Sequence, residues 1–256
     1  MPELPFSKFF VPASLRDLPT VATPSVRYVE LHCKTNFSFL EGASHPSELV
    51  ALAHGLGYAG MAVTDLNSLA GAVRTHIAAK EAGLKLVIGA EVTLVDSSPI
   101  LLWAMNRDGY GRLCQLLTRG RRQAPKGECR LAFADVAEHA SGLLIGVLLP
   151  REGELTPELV RWKEVFLDRT YAVAELHRGL GDERRLSEWQ RVATAAKVPL
   201  IAAGDVHYHD ARRRYLQDVL TAIRLKTTVA ELGAARFPNG ERRLRALSEV
   251  LSIYSQ

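Results

Sequence analysis

Cysteine is scarce. The three present, Cys33, Cys114 and Cys129, are an odd number without a C-x-x-C pair. That argues against a disulfide framework and a cysteine-rich zinc site, and it makes the reducing cytoplasm the expected location. Long apolar runs are missing too, so no segment is expected to span a bilayer and no membrane partner follows. The opening stretch MPELPFSKFFVPASLRDLPTVATPS is broken by prolines and carries Glu3 where a secretory leader would carry basic charge. Neither sign of charge dominates: 32 Lys+Arg face 28 Asp+Glu for a net +4, so any nucleic-acid surface must be local. What remains is a chain of 256 residues, 47% hydrophobic and 23% charged, enough for one large α/β domain or two small ones and unlike a disordered chain.

Residues 1–26 hold five prolines and no sustained hydrophobic period, which reads as an amino-terminal arm. From Val26 short aliphatic runs alternate with helical spacing, the pattern of parallel β-α units. Seven strands are expected, at 26–32, 60–65, 85–92, 100–105, 142–149, 171–176 and 199–206. Helices are expected after Ser44, where Pro46 fits a first turn and Gly55 an end, then before Gly83, and over 109–119, 156–166, 182–196 and 212–224. Seven units in this length favour a closed or nearly closed α/β barrel of the TIM-like kind, with an open doubly wound sheet as the alternative. The barrel is expected over 27–211. Residues 212–256, a helical stretch followed by FPNGERRLR, are expected to form a helical connector.

The apolar runs repeatedly stop at polar residues. His32 closes the first strand, Asp65 the second, Glu91 lies late in the third, Glu175 and His177 end the sixth, and Asp205 and His207 end the seventh. On one barrel rim these imidazoles and carboxylates would form the constellation that binds zinc or manganese and activates water for phosphoester hydrolysis. The i,i+2 spacing of Asp205 and His207 points both to one face of a strand. Each residue alone reads equally well as a solvated strand end, and Asp65 as a helix cap. His45, His54, His76 and His139 are expected in surface packing, and His209 in a solvated loop.

Two further strings need weighing. Gly55-Leu56-Gly57-Tyr58-Ala59-Gly60 matches G-x-G-x-x-G, yet it leads from a helix into a strand, the reverse of the order a dinucleotide site needs. Residues 107–130 carry seven Lys/Arg and two Asp/Glu. This basic stretch could touch a phosphate backbone, but a solvated loop is at least as good a reading, because no aromatic residue lies between Gly111 and Arg130 to stack on bases.

The strings ELHCKTNFSFLEGASHPSELV, GYAGMAVTDLNSLAGAVRTHIAAKEAGLKLVIGAEV, AELHRGL, PLIAAGDVHYHDARRRYLQDVLTAIR and FPNGERRLR resemble the polymerase-and-histidinol-phosphatase (PHP) domain that opens bacterial C-family DNA polymerases. Among these they are most similar to the error-prone, alpha-subunit-like polymerases of mutasomes. The resemblance implies a distorted seven-stranded β/α barrel with a metal cluster at the strand ends. His32, Glu41, Glu91, Asp205 and His207 match ligand-type positions, with Lys34, Asp65 and Glu175 beside them.

The pattern is incomplete. The H-x-H of metal-bound members reads His32-Cys33-Lys34, T-D-H-G reads Thr64-Asp65-Leu66-Asn67, and PILLWAMN and GLLIGVLLP offer no ligand. The expected cofactor is therefore none, or a residual divalent metal such as zinc or manganese, and no catalytic residue is assigned. Lys34 is expected to pair with Glu91 or Asp205 in place of an ion. The implied function is that of a structural module of an error-prone DNA polymerase, in DNA replication past damage and DNA repair. The nucleotidyltransferase chemistry would lie in a polymerase region absent from this chain, which reads as a fragment, a truncated gene product or a split subunit. Implied partners are that remainder, mutasome accessory proteins, a sliding clamp through the parent enzyme, and DNA. The alternatives are a freestanding metal-dependent phosphoesterase or exonuclease, and a pure interaction module.

Overall fold

The computed structural model describes residues 27–150 and 156–254; the expected arm at 1–26 lies outside them. Seven strands form one sheet in chain order: β1 (Val29–Glu30), β2 (Gly60–Leu66), β3 (Leu86–Val92), β4 (Ile100–Ala104), β5 (Leu143–Leu148), β6 (Thr170–Glu175) and β7 (Leu200–Ala203). Just past β1 and β7 the chain closes the ring. Cys33 and Val206 form a parallel bridge, Val206 N–H donating to His32 O at 2.9 Å and Lys34 N–H to Val206 O at 2.8 Å. The fold is thus the nearly closed α/β barrel expected, not an open sheet.

The helices are α1 (Pro46–Gly55), α2 (Ala72–Ala82), α3 (Arg107–Arg122), α4 (Phe133–Glu138), α5 (Thr156–Phe166), α6 (Asp182–Ala196), α7 (Arg214–Leu225) and α8 (Leu247–Tyr254). Their boundaries follow local chemistry. At the start of α1, Pro46 occupies the first turn and the Glu48 carboxylate accepts from His45 N–H at 2.9 Å. Asn106 caps α3 by accepting from Gly109 N–H at 2.9 Å. Gly109 has no alternative there, since a Cβ would stand 1.9 Å from the Gly142 carbonyl.

The expectation of uniformly parallel units needs correction at β4, which pairs antiparallel with both β3 and β5. Only residues 93–99 separate β3 from β4, and a parallel crossover needs about a dozen residues or more. The first strand is also shorter than expected, because the chain leaves the sheet after Glu30. No helix stands between β3 and β4, while α3 and α4 both follow β4. Among the described residues no helix is long and apolar enough to cross a membrane.

Strand alternation sorts the side chains. Leu101 and Trp103 of β4 join Ala62, Val173 and Ala203 inside the barrel, where Trp103 Nε1–H donates to Leu31 O at 3.0 Å. Ile100 and Leu102 face outward with Ile145, Leu113, Trp162, Phe166 and Trp189, the larger core under the helices. The same alternation carries Gly89 to Glu91, Val173 to Glu175 and Ala203 to Asp205, so polar groups cap the apolar interior at one end. Residues 212–254 lie back on that end. Tyr254 Oη bonds Ala174 O at 3.0 Å and Ala203 O at 3.1 Å, and Arg245 donates to Leu176 O at 3.0 Å.

Candidate functional site

The rim loop after β1 is fixed first. Asp65 is fully buried at the end of β2 and accepts from Thr35 N–H at 2.8 Å, Thr35 Oγ1 at 3.0 Å and Ser38 Oγ at 2.7 Å. Burial still raises its pKa in spite of these bonds. Gly42 completes the turn, where a Cβ would stand 2.0 Å from Thr35 O. Asp65 therefore folds the loop and neither reaches the charged cluster nor caps a helix.

The cluster itself is built on Lys34. Its Nζ lies 2.6 Å from Glu91 Oε2, 3.2 Å from Asp205 Oδ1 and 3.4 Å from His207 Nε2. Two carboxylates and an imidazole thus surround one ammonium, which is 5% exposed. Burial alone would push Glu91 up, but the Lys34 charge and the His32 bond hold it well below the usual carboxylate range. His207 moves down to about 3, through burial and then the same ammonium. A neutral His207 donates from Nδ1 to the Glu41 carbonyl at 2.9 Å and turns the Nε2 lone pair to Lys34.

His32 forms the second centre. Nδ1 lies 2.5 Å from Glu175 Oε1 and Nε2 2.9 Å from Glu91 Oε2, so each ring nitrogen faces a carboxylate. Burial opposes the charged ring, yet Glu175 and the two bonds outweigh it and raise the pKa of His32. Glu175 is lowered in turn, the His32 charge overcoming its burial. A third cation, Arg242, pairs with Asp205. Asp205 adopts a left-handed backbone, φ +43°, a conformation that aspartate tolerates better than most residues with a side chain. Cys33 is buried, and burial pushes its thiol well above the ordinary value, away from the thiolate a metal would require.

Of the residues singled out from sequence, His32, Lys34, Glu91, Glu175, Asp205 and His207 come together. Glu41 contributes its carbonyl, while its carboxylate pairs with Arg224 at 2.7 Å. His177 is buried and bonds Gly204 O at 3.1 Å outside the group. His209 corrects its expectation: it is buried rather than solvated, bonded to Ser44 Oγ at 2.7 Å. Sequence reading passed over Arg242. Its string FPNGERRLR was in view, but the connector reading gave no reason for one arginine to turn inward.

His32, Glu175 and Asp205 each offer a ligand atom within 4.8 Å of the others, and such a group can hold a metal ion. The fit is limited to one ion. Coordination requires His32 to give up the proton it shares with its carboxylates. The neighbouring donors, Glu91, Asp205 and His207, already surround Lys34.

Comparison with known proteins extends these observations. The family model of the PHP domain matches residues 30–191. An error-prone DNA polymerase from Rhodopirellula baltica is 42% identical over 242 residues, spanning 90% of this chain and 21% of the relative. The error-prone DNA polymerase from Methylococcus capsulatus is 47% identical over 228 residues, 89% of this chain and 22% of the relative. The chain therefore spans about a fifth of the length of these relatives. Among solved structures, an amidohydrolase from Chromobacterium violaceum superposes with TM-score 0.54 at 15% identity, covering 70% of this chain and 87% of that one. That likeness bears on the fold alone.

Proposed function

The chain belongs to the PHP domain family, and from the state of its rim we propose that it serves as the amino-terminal structural module of an error-prone DNA polymerase and no longer hydrolyses phosphoesters. The observation that carries the reading is Lys34 Nζ set between Glu91 and Asp205 at 2.6 and 3.2 Å. An ammonium repels a divalent ion from the position it fills, and it supplies the positive charge that would otherwise have to come from the ion. The His32 ring, whose pKa is raised, faces Glu91, and Arg242 brings a further cation to Asp205. The rim is a self-neutralised lattice that ties β1, β3, β6 and the segment after β7 together.

The relatives' length supports the wider role. In an error-prone DNA polymerase this module would be joined to the region carrying nucleotidyl transfer, in DNA replication past damage and DNA repair. Mutasome accessory proteins and a sliding clamp would be partners of that whole enzyme. Elemental analysis after dialysis tests the reading, with well under one zinc or manganese per chain expected. Stoichiometric metal together with phosphoesterase turnover would overturn it. Lys34→His, which restores an imidazole, is expected to gain divalent-metal affinity over the parent chain.

One observation favours a second reading. His32, Glu175 and Asp205 could hold a single divalent ion for a freestanding phosphoesterase, where the metal would polarise a phosphoryl oxygen. Under that reading His32→Ala abolishes both metal content and turnover; under the first there is neither to lose.

A further inference from the structure

The basic stretch at 107–130 is not the solvated loop that its composition allowed. Most of it is helix α3, whose inner face carries Leu113, Leu116, Leu117 and Gly120 into the core. That packing fixes the opposite face. Arg112, Gln115, Arg119 and Arg122 recur at i, i+3, i+7 and i+10, one row along the exposed side, about 15 Å long at 1.5 Å per residue.

The cations of this surface are unequally committed. Arg119 pairs with Glu138 at 2.5 Å and Asp135 at 3.3 Å. Arg121 ties the helix to the loop after β2, donating to Asn67 O at 2.9 Å and to Gly127 O at 3.1 Å. Among the described residues no carboxylate pairs with Arg107, Arg112, Arg122, Lys126 or Arg130, all of them exposed. Two adjoining hollows of about 590 and 450 Å³ flank the row and share Cys114, Thr118 and Arg122. Guanidiniums, hydroxyls and amides line them beside Leu69, Ala70, Cys114 and Leu117, and no carboxylate does.

We propose that the exposed row of α3, continued through Lys126, binds the phosphodiester backbone of double-stranded nucleic acid. The chemistry selects that partner. The unpaired guanidiniums of Arg112 and Arg122 on a rigid helix match phosphate oxygens, and a row of about 15 Å spans about four phosphates at 3.4 Å of axis each, of which these two and Lys126 would contact three. A single strand would need aromatic platforms for its bases, and the groove has none. Recognition is of charge and spacing, without base readout. The row shares no side chain with the Lys34 cluster, so metal found there would leave its cations in place.

Fluorescence anisotropy of a labelled mixed-sequence DNA duplex titrated with the full chain tests it. Three phosphate contacts give affinity that falls about fortyfold between 50 and 200 mM salt. Arg112→Gln/Arg122→Gln/Lys126→Gln is expected to weaken binding at least tenfold at 50 mM salt and to remove most of that salt dependence. Its thermal unfolding should match the parent's. Lys80→Gln/Arg191→Gln/Lys197→Gln removes equal charge elsewhere and should bind like the parent. No binding by the parent, or equal losses in both triple variants, would overturn the proposal.

Discussion

The two halves of the barrel mouth are built from different materials. On the side of β1, β3, β6 and β7, His32, Glu91, Glu175, Asp205 and His207 converge with Lys34 within hydrogen-bond distance. On the side of β4 and β5, the strands are apolar throughout, and Leu101 and Trp103 turn large side chains into the interior. The first half is held by paired charge and the second by packing. These respond differently to change. A charge network fails when one member is removed, because the others are left buried and uncompensated, whereas an apolar core loses in proportion to the volume removed.

The largest expected effect comes from Lys34. Lys34→Met keeps most of the side chain's length but leaves Glu91 and Asp205 facing each other, and should cost about 3–5 kcal/mol in urea unfolding. Trp103→Ala, in the other half, should cost a similar amount, about 3–5 kcal/mol, for a different reason. The double variant Lys34→Met/Glu91→Gln separates them. It should recover much of the loss, while no charge change on the polar side should rescue Trp103→Ala. Independent effects in the Lys34/Glu91 pair would break the comparison.

Acid should expose the same asymmetry with a smaller effect. His207 titrates at about 3 in the folded chain, below its unfolded value near 6.5, so between these values the unfolded chain binds a proton that the folded chain refuses. Stability therefore falls as pH drops, by about 2 kcal/mol between pH 6.5 and 5. Glu91 and Glu175, both lowered, add losses only as pH falls below their ordinary value toward the folded ones. Asp65 and Glu30, both raised by burial, work in the opposite direction at low pH. His32, raised, loses its contribution as pH climbs above 6.5. His207→Gln should flatten the slope from pH 6.5 to 5 in urea titrations; an unchanged slope would assign it to other groups.

How much of this could be read from the sequence differs by half as well. The polar half was legible because strand alternation is strict: Glu91, Glu175 and Asp205 each fall on the inward parity of an apolar run, and the His32-Cys33-Lys34 replacement announced a cation among carboxylates. The strand boundaries themselves held the clue to β4, since residues 93–99 are too few for a parallel crossover, but a pattern of strands and helices does not state direction. The loop-folding role of Asp65, and Arg242 altogether, were hidden for another reason. Their partners, Thr35 and Ser38 for one and Asp205 for the other, are chosen by loop paths that no local period encodes.

The smallest effect should come from the edge of the polar half. Arg224 on α7 pairs with the Glu41 carboxylate, and the Glu41 carbonyl holds His207 Nδ1, so the pair touches the network through one backbone group. The arginine is 42% exposed. Water and salt screen such a pair, and Arg224→Gln should cost no more than about 1 kcal/mol, less still at high salt. The acid slope assigned to His207 should survive the change, because the carbonyl stays where Gly42 and Asp65 hold the loop. A large loss, or a shift of that slope, would mean that α7 positions the rim and that the polar half extends beyond the barrel.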